Sequence, residues 1–172
     1  MTTFLKNRDM KFSFHLLLTC IALTACGESG KTTADYRIVP RPGEIAPGDG
    51  GDFELDARTR IVCTGDGDGM RANAEFLAGY VESVVGSAPE ITGPDGLCDD
   101  GRAVILRADA PGKGGEAYEI EVSENRITVS GESDAGVFYG IQTLRKSVSV
   151  HEGAGAVELP AVEINDSPRF SY

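Results

Sequence analysis

The sequence predicts an α+β domain: a small, mostly antiparallel sheet of four to six strands with two helices packed on one face. Three observations predict it. Short segments of alternating polarity, bounded by Gly, Pro and Asp, recur along the chain and read as strands. Two longer segments, Met70 to Val85 and Ser133 to about Val148, carry apolar residues at helical spacing. With 172 residues and a hydrophobic fraction of 41%, the chain has material for one modest core.

The first 25 residues stand apart from that domain. Lys6, Arg8 and Lys11 form a basic start, and Phe12 to Ala25 is mostly apolar. The run is shorter than the roughly 20 residues a membrane-spanning helix needs, and reads as a secretory signal peptide over residues 1–25. It ends in Leu23-Thr24-Ala25-Cys26, followed by Gly27. That tetrapeptide resembles the bacterial lipobox, which implies cleavage before Cys26 and lipidation of its thiol. The alternative is an ordinary signal peptide with a chance cysteine. The expected location is the cell envelope, lipid-anchored, at the outer membrane or the periplasmic face in a two-membrane cell. Gly27, rather than Asp, points to the outer membrane.

Residues 26–35 are small and polar and read as a flexible tether. Tyr36 to Pro42 is an extended piece, because Pro40 and Pro42 forbid helix. Gly48 to Asp52 is a turn. Phe53 to Leu55 and Arg60 to Cys63 read as short strands. Met70 to Val85 is the first helix, with Ala74, Leu77, Val81, Val84 and Val85 on its apolar face, Asp68 as N-cap and Gly86 beyond its end. Gly93 to Gly101 is a turn region. Ala103 to Leu106 is continuously apolar and predicts a central strand buried on both faces. Ala117 to Ser130 is a hairpin turning at Ser123-Glu124-Asn125. The second helix is capped by Ser133-Asp134, with Val137, Phe138, Ile141, Leu144 and Val148 as its stripe. Gly136 and Gly140 sit four apart in it, at a helix cost of about 1 kcal/mol each against Ala, so a close packing contact is expected there. Leu159 to Tyr172 is extended and apolar.

The chemistry on offer is sparse. A net charge of −11 excludes nucleic acid as a main partner. The chain has four Cys, two His and no Trp, and no C-x₂-C zinc spacing. Asp66 and Asp68 lie in Thr-Gly-Asp-Gly-Asp-Gly, but the twelfth position counted from Asp66 is Leu77, so an EF-hand loop fails. Gly65-x-Gly67 lacks the context of a nucleotide loop. Asp99 and Asp100 read as a turn, His151 as a solvated loop residue, and the Asn165-Asp166-Ser167 sequon as a coincidence. No metal site, cofactor site or catalytic set can be assembled from these residues. Cys63 and Cys98 remain for an oxidising compartment. They are either two separate buried thiols or a disulfide, the latter contributing about 3–4 kcal/mol if unstrained.

Two segments resemble a known family. Ala117 to Val122 with Arg126 to Val129, then Ser133-Asp134-Ala135-Gly136-Val137-Phe138-Tyr139-Gly140-Ile141-Gln142-Thr143-Leu144, are similar to the hairpin and helix of the domain that precedes the catalytic barrel in family-20 glycoside hydrolases, the β-N-acetylhexosaminidases. The helix motif is shared with related domains of other glycosidases. Ile38-Val39-Pro40-Arg41-Pro42 looks like that domain's first strand, and Ile164 to Tyr172, with Pro168-Arg169-Phe170, like the entry to the (β/α)₈ barrel. The resemblance implies a hexosaminidase N-terminal α+β domain over residues 36–163 and the start of a missing barrel over 164–172. It implies a parent enzyme that removes terminal N-acetylhexosamine from glycans, with substrate-assisted chemistry carried by an Asp-Glu pair in the barrel. This chain is then a non-catalytic fragment, inactive alone, that meets glycan only through the parent. The alternative is a free-standing envelope lipoprotein that binds glycan or a protein partner. Sugar platforms want exposed aromatics, and Tyr118 and Tyr139 fall on core-like elements, which counts against a glycan-binding module.

Overall fold

The computed structural model describes residues 32–97, 101–108, 115–148 and 154–167. In chain order the elements are β1 (Thr32–Thr33), β2 (Glu44–Pro47), β3 (Phe53–Leu55), β4 (Arg60–Cys63), α1 (Asp68–Val85), β5 (Ile91–Thr92), β6 (Ala103–Arg107), β7 (Tyr118–Ser123), β8 (Arg126–Gly131), α2 (Asp134–Ser147), β9 (Val157–Leu159) and β10 (Val162–Asp166). The fold is α+β with both helices on one face of the main sheet, as the sequence predicts.

The main sheet has seven strands in the order β2-β10-β7-β8-β6-β4-β5, wider than the four to six expected. Pairing is antiparallel from β2 to β8 and parallel from β8 to β5. The parallel part follows from chain path. A strand followed by a helix re-enters the sheet in the same direction, and α1 makes that crossover between β4 and β5. A second sheet, β1-β9-β3, adds Phe53, Leu55, Val157 and Leu159 to the same core.

The helices pack side by side and run in the same direction. Near their N-termini the Asn73 amide donates to the Asp134 carbonyl (2.8 Å). Near their C-termini the Tyr80 hydroxyl donates to the Arg145 carbonyl (3.2 Å). Ser133 caps α2 by accepting from the backbone N–H of Ala135 and Gly136. Asp68 is not the cap of α1. It is the first helical residue, behind Gly67, and the helix ends on Gly86 in the left-handed region at φ 85°. Gly136 and Gly140 meet the close approach expected of them: a Cβ on Gly136 would lie 2.3 Å from the Ala117 carbonyl oxygen, and one on Gly140 2.6 Å from Val129 Cγ1.

Three boundaries differ from expectation. Thr32 and Thr33 pair with Val157 and Glu158, and Ala34 is buried, so the tether does not extend to residue 35. Residues 36–42 form no strand, since Pro40 and Pro42 cannot donate to a ladder; β2 forms just after them instead. Ile164, Asn165 and Asp166 belong to β10, paired on both sides, so the domain continues beyond residue 163.

Candidate functional site

The outer surface of the helix layer carries exposed aromatics. Phe76 on α1 and Phe138 on α2 lie 5.4 Å apart between ring centroids, and Tyr139 lies 6.0 Å from Phe138. The Arg145 guanidinium sits over both Phe76 (5.1 Å) and Tyr80 (5.4 Å). Helical geometry explains the placement. Val137, Ile141 and Leu144 turn inward at i, i+4, i+7, which swings Phe138 and Tyr139 to the opposite side. Phe138 is therefore not part of the buried stripe, and Tyr139 is not core: they are 36% and 43% exposed. Tyr118 is core, as read.

Beside Tyr139, where α2 passes the ends of β7 and β10, is a cavity of about 630 Å³. Its floor is a chain of hydroxyls. Tyr118 Oη lies 2.7 Å from Thr143 Oγ1 and donates to Asp166 Oδ2 at 3.3 Å. A carboxylate only accepts, so the protons run from Thr143 to Tyr118 to Asp166. Asp166 Oδ1 accepts from the Gly43 N–H (3.0 Å), which fixes the carboxylate at the end of β10. Burial, together with the Asp166 charge, pushes the Tyr118 phenol up to about 12. Gln142 and Lys146, one turn apart on α2, line the wall with Glu116 and Tyr139.

Of the residues singled out beforehand, Cys26 and Cys98 lie outside the described residues, as do Asp99, Asp100 and His151. Cys63 ends β4, buried against the helices, and burial pushes its thiol up. Among the described residues it has no disulfide partner. The Asp66 and Asp68 side of the α1 entry gathers no metal-holding cluster among the described residues. Sequence reasoning missed Gln142, Thr143, Lys146 and Asp166 as one group. The signal for the α2 members was the i, i+3, i+4 spacing of Tyr139, Gln142 and Thr143; nothing local announced Asp166.

Comparison with known proteins places the fold. The model of glycosyl hydrolase family 20, domain 2, matches residues 35–167. A beta-N-acetylhexosaminidase of Cellulomonas fimi is 30% identical over 138 residues, covering 80% of this chain and 27% of that protein. A beta-hexosaminidase of Porphyromonas gingivalis is 27% identical over 185 residues, covering 94% of this chain and 22% of that protein. Among solved structures, a beta-hexosaminidase mutant of Streptomyces plicatus in complex with product superposes with a TM-score of 0.63 at 25% identity, over 80% of this chain and 27% of that one. The GH20 beta-N-acetylhexosaminidase of Streptomyces coelicolor shares the fold, with a TM-score of 0.62 at 24% identity, over 79% of this chain and 27% of that one. The chain spans about a quarter of the length of these two hexosaminidases.

Proposed function

The chain belongs to glycosyl hydrolase family 20 as its domain 2, and we propose that it serves as the non-catalytic domain that supports the catalytic portion of a β-N-acetylhexosaminidase acting on terminal N-acetylhexosamine of envelope glycans. The observation that carries this reading is the aromatic pair of Phe76 and Phe138, with the Arg145 guanidinium over Phe76, on the outside of the helix layer. Large apolar rings grouped on one helical face mark a surface that another body covers. The length of the relatives supplies that body: roughly three quarters of each lies outside the matched region.

The test is direct. The purified chain should not cleave a chromogenic N-acetylglucosaminide, and it should bind a separately expressed family-20 catalytic barrel. Phe76→Asp with Phe138→Ser should abolish that binding without unfolding the chain, since both rings are partly solvated. Turnover by the chain itself, in a preparation free of host hexosaminidase, overturns the non-catalytic reading. Binding that ignores the two substitutions overturns the docking face.

Two further parts of the proposal concern the envelope. The lipobox-like Leu23-Thr24-Ala25-Cys26 supports a lipid anchor on Cys26; a fatty-acid label should enter the protein and be lost in Cys26→Ser. The proposed envelope location, an oxidising compartment, supports a bond between Cys63, at the end of β4, and Cys98; non-reducing peptide mass spectrometry should recover the two cysteines in one cross-linked species.

A further inference from the structure

We propose that the cavity between α2 and the ends of β7 and β10 is a binding site for a neutral saccharide. Its size, about 630 Å³, lies within the range of small-ligand sites. Its chemistry narrows the class. Its two acidic residues, Glu116 and Asp166, are matched by two basic ones, Arg41 and Lys146, so the lining carries no net charge to favour an anion or a cation. An apolar ligand would strip water from the Tyr118, Thr143 and Asp166 group with nothing in return. What remains is a neutral ligand rich in hydroxyls that both donate and accept.

The fixed groups fit such a ligand. Each Asp166 oxygen accepts one bond within the domain, from Gly43 N–H and from Tyr118 Oη, so each keeps acceptor capacity for neighbouring hydroxyls. The Gln142 carbonyl accepts from Arg145 Nη1 at 3.0 Å, which orients its amide and leaves the NH₂ as donor. The Tyr139 ring, 43% exposed at the mouth, offers the apolar face on which the C–H side of a pyranose packs. Exposed aromatics are the feature whose expected absence counted against a glycan-binding module, and the structure supplies one beside the polar groups.

The site stands on its own geometry; only the choice of N-acetylated probe rests on the proposed function. Calorimetric titration of the purified chain with chitotriose should show saturable binding with Kd of about 0.1–1 mM. Tyr139→Ala should weaken it at least about tenfold, with an unchanged circular dichroism spectrum. Phe76→Ala, outside the cavity, should leave it unchanged. Cellotriose is run in parallel. If it binds with the same Tyr139 dependence and chitotriose does not, the saccharide site stands and the N-acetylhexosamine reading of the parent is what fails. No saturable heat from either sugar up to about 10 mM, binding indifferent to Tyr139→Ala, or tighter binding of a blocked tripeptide would each overturn the proposal.

Discussion

On the helix-covered side of the main sheet, β7 and β10 present Tyr118, Ile120, Val122, Val162 and Ile164, all buried; on the other side the same strands present Glu119, Glu121 and Glu163, all exposed. One pair of strands thus writes two opposite environments at alternate positions. β6 behaves differently. Val104 and Leu106 join the helix-side core, while Ala103 and Ile105 form a second small cluster with Val62 on the far side. The far face is dry only under the parallel half and wet under the antiparallel half. What decides the difference is the cover: the helices and the second sheet share one core with the helix-side face, and the other is left to water wherever the strands alternate. Stability should therefore be concentrated on the helix side, and the following changes probe that asymmetry.

The largest effect is expected from Ile120→Ala. Ile120 is fully buried on the core face of β7, between Ile164 of β10 and Val129 of β8, and its truncation should cost about 4 kcal/mol, read as a lowered urea midpoint. A loss below about 1 kcal/mol would falsify the asymmetry. Gly136→Ala comes next. The new methyl meets the backbone of Ala117, which cannot swing aside, so a loss of about 3 kcal/mol is expected. Gly79→Ala is its counterpart on the outside of α1, where a Cβ meets nothing within 4 Å; there the same substitution should stabilise by up to about 1 kcal/mol.

Tyr118→Phe removes the central hydroxyl of the Thr143–Tyr118–Asp166 chain and should cost about 1 kcal/mol at neutral pH. It also has a pH signature. The folded phenol titrates near 12, above the unfolded value of about 10. Folding is then favoured fully below about pH 10, and that contribution fades as the pH climbs through 12. Unfolding curves of Tyr118→Phe should lose part of this alkaline slope; an unchanged slope above pH 10 would place the titration elsewhere. The smallest effect belongs to the bare face. Glu121 lies directly opposite Glu163 in the β7–β10 register. Like charges so placed repel, and Glu121→Lys should raise the stability by no more than about 0.5 kcal/mol, less at high salt.

How much was legible in the sequence follows the same division. β3, β4, β6, the β7–β8 hairpin and both helices were readable because each carries its own periodic pattern over several residues. β2 and β5 were not. β2 turns only Ile45 toward the core, and β5 has two residues, so neither holds a pattern; both exist because a partner strand elsewhere completes them. The helix-face aromatics were misplaced for a related reason. Apolar side chains on an amphipathic helix ordinarily face inward, and Phe138 and Tyr139 break that rule together. The cavity required three elements far apart in the chain, and only the α2 contribution was local.

The place of β10 bears on how the chain is made. β2 has a single strand neighbour in the sheet, β10, and Glu44 pairs with Asn165, some 120 residues later. A chain that emerges N-terminus first, at about 5–20 residues per second, exposes β2 for about 6–24 s before its neighbour exists. During that interval the half-built sheet offers strand edges to any other nascent copy. β2 is poorly suited to accept one: it spans only Glu44–Pro47, begins with a charge and ends on a proline that cannot donate. The brevity that hides this strand from sequence reading also keeps it from pairing with the wrong chain while it waits.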